Sequence, residues 1–87
     1  MAKILIIDDE QSIRHTLKEI LEYEKFEIEE AKNGEEGLQM LKKGKYDVVL
    51  CDIKMPKLDG MEVLDKVMED GIDVPFIMIS AHATIDT

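Results

Sequence analysis

Residues 48–60 read VVLCDIKMPKLDG: four apolar residues run straight into Asp52, and a loop carrying Pro56 and Gly60 follows. A short, continuous apolar run rich in Val and Leu is what a central parallel strand, covered on both faces, requires. Ending such a strand on a carboxylate is costly, because burial disfavours a lone charge. Working outward, KILII at 3–7 is a second run of this kind, and it too stops at acids, Asp8 and Asp9. FIMIS at 76–80, opened by Pro75 and closed by Ser80, is a third. FEIEEA at 26–31 alternates apolar and acidic residues, as an outer, half-exposed strand does.

Helical patterns fill the gaps. Ile13, Leu17, Ile20 and Leu21 recur at helical spacing with Lys18, Glu19 and Glu22 between them. Asn33 is a helix-capping residue ahead of Leu38 and Leu41, and Gly44 stops that helix. Asp59 followed by Glu62 is the start signal of a third helix, whose stripe is Val63, Leu64, Val67 and Met68 and whose end is Gly71. Strand and helix alternate throughout, which predicts βαβ crossovers and an α/β fold with a parallel sheet between helices. The six methionines read as core filler.

At 87 residues, 45% hydrophobic and 36% charged, the chain is one small globular domain. It contains no apolar run near the ~18 residues of a membrane span. The opening MAKILIIDDE lacks a cleavage site of the secretory kind. The single cysteine, Cys51, fits a reducing compartment, so a cytoplasmic location is expected, with the thiol a small core residue. Twenty acidic against eleven basic residues give a net charge of −9, which disfavours direct contact with nucleic acid and favours cations or basic partner surfaces. The same charge also serves simply to keep the exterior solvated.

All strands of a parallel sheet end on one edge, where such folds bind ligands. If the first and third strands are neighbours, Asp8, Asp9 and Asp52 converge there, and Ser80 ends the strand beside them. Three anions so close need a compensating cation. With oxygen donors and no His or Cys cluster, a hard divalent ion such as Mg²⁺ is expected, leaving room for a phosphate oxygen. Asp52 then becomes a candidate nucleophile toward phosphorus and Ser80 a hydroxyl donor to a phosphoryl oxygen. Plainer readings stand beside these: Asp8 or Asp9 capping the first helix, Asp52 bonded to loop amides, Ser80 a generic strand-end hydroxyl. His15 and His82 have no partner spacing for a metal and read as solvated.

ILIIDDE, VVLCDIKMPKLDG and FIMISAHA, in this order, closely resemble the receiver domain of two-component response regulators, and the resemblance covers the whole chain. The DxxMPxxDG element with an upstream acidic pair is highly specific. The tail SAHATIDT looks most like receivers of nitrogen-regulatory activators of transcription. The resemblance implies a doubly wound, flavodoxin-like (CheY-like) sheet of about four strands in the order 2-1-3-4 with three helices. It implies Asp52 as phosphoacceptor, and Mg²⁺ held by Asp8, Asp9, Asp52 and the backbone carbonyl of Lys54, with Asp9 a more direct ligand than Asp8. Ser80 would be the switch hydroxyl and Ala81 the small residue beside the phosphoryl group. Phosphate would come from a histidine kinase, a phosphotransfer protein or a small phosphodonor.

A receiver of this kind continues through a fourth helix, a fifth strand ending in a lysine and a fifth helix, so residues 1–87 are expected to form a single partial receiver domain. Lys54 and Lys57 carry the charge of that lysine, but the family motif gives neither its role. The apolar fourth strand is then an exposed edge, and the chain is expected to form a homo-oligomer through it. Two other functions remain open at this stage. One is a Mg²⁺-dependent phosphohydrolase, although DDEQ stands where the haloacid-dehalogenase pattern has Asp-x-Asp. The other is a folding fragment that self-associates without phosphoryl chemistry.

Overall fold

A computed structural model describes residues 1–80, so Ala81, His82 and the rest of the tail lie outside the described residues. The elements alternate along the chain: β1 (Lys3–Ile7), α1 (Gln11–Tyr23), β2 (Glu27–Ala31), α2 (Gly34–Lys43), β3 (Val48–Asp52), α3 (Gly60–Glu69) and β4 (Phe76–Ile79). The four strands form one parallel sheet in the order β2-β1-β3-β4. None of the helices among the described residues is long and apolar enough to cross a membrane.

Side chains alternate across a strand, so β1 feeds two cores. Leu5 and Ile7, with Val49 and Cys51 of β3, face α2 and α3 and pack with Leu41, Val63 and Val67. Ile4 and Ile6, with Ile28 of β2, meet Leu17 and Leu21 of α1. Burial on both faces explains why these strands read as unbroken apolar runs. Cys51 is fully buried, and burial, together with the nearby Asp52 charge, pushes its thiol up to about 12. It is an inert core residue at neutral pH.

The expected helix signals operate. Asn33 Oδ1 accepts from the Glu36 backbone N–H at 2.8 Å. Asp59 and Glu62 form a reciprocal capping box, with bonds of 2.9 and 3.0 Å. Gly71 ends the α3 segment at φ +71, where a Cβ would be strained. The buried stripes are narrower than the spacing predicts. Ile20 is 56% and Met68 66% exposed: α1 packs chiefly against β2 and β1, and α3 turns Gly60, Val63 and Val67 inward. The methionines are not uniformly core filler either: Met55 is buried, Met40 and Met78 pack at the margin, and Met1, Met61 and Met68 are exposed.

At the N-terminal edge of the sheet, the Tyr46 hydroxyl donates to Glu29 Oε1 at 2.6 Å. Lys3 Nζ lies 3.1 Å from Glu29 Oε2 and 5.0 Å from the centre of the Tyr46 ring. The Lys3 backbone N–H donates to Asp47 Oδ2 at 2.6 Å. This clamp ties β1, β2 and the start of β3 together at the end away from the acids.

Candidate functional site

The register builds the site. Ile7 pairs with Cys51, so the next residues, Asp8 and Asp52, stand side by side as β1 and β3 end. Asp52 pairs in turn with Ile79, so Ser80 follows one step beyond it, exposed at the same edge. Asp8 and Asp52 are fully buried and Asp9 is exposed. One carboxylate oxygen from each lies within 4.8 Å of the other two.

Asp8 does not cap α1, whose N-cap is Glu10 without a side-chain cap bond. Instead its Oδ1 accepts from the Glu10 backbone N–H at 2.9 Å, while Oδ2 is buried with no hydrogen-bond partner among the described residues. Burial pushes the Asp8 carboxyl above the ordinary range. The Glu10 N–H opposes that shift, and the charges of Asp52, Asp9 and Glu10 add to it. Two like charges at this separation repel by about 3 to 4 kcal/mol at an effective dielectric near 20. The set therefore suits a bound cation. Its donors are all oxygens, one of them buried and unbonded, which fits Mg²⁺ and not a soft metal.

The loop after Asp52 runs from this edge to the start of α3. Ile53 donates its N–H to the Ile79 carbonyl at 3.1 Å and accepts from the Gly60 N–H at 2.9 Å. Lys54, two residues past Asp52, lies in this loop. Lys57 takes φ +68, a left-handed backbone unusual for lysine, and lines a cleft with Asp9, Lys32, Asn33 and Pro56. A Cβ on Gly60 would collide with the Asp52 carbonyl oxygen, so only glycine lets α3 start this close to the end of β3.

Sequence reasoning brought Asp8, Asp9 and Asp52 together, and the described residues place them so. It missed Arg14. The Arg14 Nη1 donates to the Asp8 carbonyl oxygen at 2.7 Å, and its Nε donates to Glu30 Oε1 at 3.2 Å. The signal was present: a cation near a helix N-terminus works against the helix dipole, so a local acceptor has to hold it there.

The family model of the response regulator receiver domain matches residues 4–87. Among curated relatives, the transcriptional regulatory protein SrrA of Staphylococcus aureus is 43% identical over 79 residues, covering 91% of this chain. The chain spans about a third of that relative's length, 32%. Among solved structures, the response regulator TrrA of Thermotoga maritima in complex with Mg²⁺-BeF superposes with a TM-score of 0.89 at 42% identity, over 95% of this chain and 72% of that one. TrrA in complex with the histidine kinase ThkA gives 0.87 at 40% identity, over all of this chain and 75% of that one. The chemotaxis protein CheY4 of Vibrio cholerae gives 0.88 at 31% identity, over 98% of this chain and 72% of that one. A parallel sheet in the order 2-1-3-4, acids at its C-terminal edge and these matches lead to one conclusion: the chain belongs to the receiver domain family of two-component response regulators.

Proposed function

We propose that this chain is a phosphoacceptor module, accepting a phosphoryl group on Asp52 and signalling its arrival through Ser80. The observation that carries the reading is the convergence of Asp8, Asp9 and Asp52 at the strand ends, with one oxygen of each within 4.8 Å of the others. Asp8, Asp9, Asp52 and the backbone carbonyl of Lys54 would hold Mg²⁺. When bound, the ion offsets the negative charge of the acids and of an incoming phosphoryl group. A carboxylate oxygen of Asp52 attacks phosphorus in line with the leaving group, forming an acyl phosphate. The bond from phosphorus to the donor breaks, and its electron pair leaves with the donor. Ser80, one step past the residue paired with Asp52, then donates its hydroxyl to a phosphoryl oxygen. The protein acts as an acceptor and not as a turnover enzyme.

The solved complex of TrrA with a histidine kinase supports a kinase as the phosphodonor here. SrrA's description as a transcriptional regulatory protein supports an output in transcription, made by a part of the protein other than this acidic segment. The nitrogen-regulatory subtype rests on SAHATIDT alone, all of which but Ser80 lies outside the described residues, so the proposal stops at transcription. The charge of −9 supports a segment that does not itself contact nucleic acid, and the single buried cysteine supports a reducing, cytoplasmic location. The exposed Ile77 on β4, which pairs only with β3 among the described residues, supports self-association by edge pairing. Light scattering reads that directly, and a monodisperse monomer at working concentration overturns it.

The test of the chemistry is intact mass after incubation with phosphoramidate and Mg²⁺, for the chain and for Asp52→Asn. A phosphoryl adduct on the first and none on the second is expected. A folded chain that takes no adduct overturns the reading and leaves a folding fragment in its place.

A further inference from the structure

We propose that Arg14 is the positioning residue of the acidic pair, fixing through its guanidinium the peptide that joins Asp8 to Asp9. The proposal rests on the reading of these acids as the Mg²⁺ site. The Asp8 carbonyl belongs to the Asp8–Asp9 peptide, so the 2.7 Å bond from Nη1 sets the plane from which the two side chains depart. On the other side of the same residue, the Asp8 N–H donates to the Ala31 carbonyl at 3.2 Å. Asp8 Oδ1 is itself held by the Glu10 N–H. The backbone of Asp8 is thus pinned before and after its side chain, and the carboxylate is pinned by one oxygen. That leaves Asp8 Oδ2 buried and unbonded among the described residues, with one oxygen of Asp8 within 4.8 Å of one of Asp9, close enough for both to reach a shared cation.

Arg14 is itself anchored. Its side chain is only 13% exposed, and Nε reaches Glu30 Oε1 of β2, whose second oxygen lies 3.6 Å from Lys18 Nζ. Glu30 directly precedes Ala31, the residue that receives the Asp8 N–H, so one end of β2 supports both contacts. A planar fork that spans a carboxylate and a carbonyl is a task for arginine; a lysine ammonium would not span both in the same geometry.

Charge and geometry predict opposite outcomes, which makes the idea testable. A cation beside the acids repels a dication, so if Arg14 acted through charge alone, Arg14→Gln would tighten Mg²⁺ binding and Arg14→Lys would leave it unchanged. If Arg14 positions the pair, both substitutions weaken binding, by about tenfold in Kd, the scale found when a partner of a metal ligand is lost. The experiment is a calorimetric Mg²⁺ titration of the 87-residue chain, of Arg14→Lys and of Arg14→Gln, with circular dichroism to count folded protein. Phosphorylation by phosphoramidate is followed in parallel across the Mg²⁺ range. The positioning role predicts a rate that recovers at saturating Mg²⁺. A merely structural role would lower the titratable fraction and leave Kd unmoved. If Arg14→Gln does not fold, Arg14→Lys decides alone. Unchanged or tighter Mg²⁺ binding by a folded variant overturns the proposal. Failure of the unsubstituted chain to bind Mg²⁺ overturns the reading of the site itself, a distinct result.

Discussion

Asp8 and Asp9 are neighbours in the chain and opposites in environment, one fully buried and the other exposed. Because burial and nearby acids raise the Asp8 carboxyl, the folded state holds that proton more tightly than the unfolded chain does. Its favourable contribution is therefore present at pH below the ordinary carboxylate value and lost as pH rises through the raised one. Asp8→Asn should stabilise the metal-free chain at neutral pH by about 1 kcal/mol, the size of a typical single-site effect. It should also remove the stabilisation by Mg²⁺; urea unfolding with and without the ion checks both. Tyr46 gives a second test. Burial, and then its bond to Glu29, push the phenol up to about 12, so folding loses stability as pH rises from 10 toward that value. Tyr46→Phe should cost about 1 kcal/mol at neutral pH and flatten that alkaline loss in pH-dependent unfolding. The acids were legible because apolar runs that stop on carboxylates are conspicuous. For Arg14 the sequence shows a cation placed against the helix dipole but not what holds it, since its acceptor by Asp8 is a main-chain carbonyl, which every residue carries.

At the scale of elements, caps announced themselves and close approaches did not. Asn33, Asp59 and Glu62 work through local bonds that their spacing encodes. Gly37 and Gly60 work across the fold: a Cβ on Gly37 would strike the Ile7 side chain, and one on Gly60 the Asp52 carbonyl. Nothing in their immediate neighbours tells which strand will arrive. Gly60→Ala should destabilise the chain by about 1 to 3 kcal/mol, as overpacking does, and slow adduct formation at saturating Mg²⁺ by displacing Asp52. Denaturant midpoints and adduct kinetics measure the two effects. The apolar stripes of α1 and α3 were read too wide for a related reason: helical spacing marks a face but not how much of it the sheet can cover, and Ile20 and Met68 fall outside that cover.

For the molecule as a whole, alternation was enough for a parallel α/β sheet, whereas the order 2-1-3-4 rested on the resemblance to receiver domains; the acidic strand ends suit β1 beside β3, as observed, but leave the outer strands open. A ligand that binds only the folded state stabilises it by about 2.7 kcal/mol at a hundred times its Kd. For a domain of this size that corresponds to a rise in Tm of about 10 °C or more. Mg²⁺ should produce it in the unsubstituted chain and not in Asp8→Asn, by thermal melts at fixed protein concentration. Cys51 adds a way to watch the same linkage in time. Its sulfur is sealed inside β3, one residue before Asp52, so an alkylating reagent can reach it only while that strand is open. The labelling rate of a single native thiol thus becomes a clock for how often the strand that ends on Asp52 comes apart, and anything that occupies the acids should slow it.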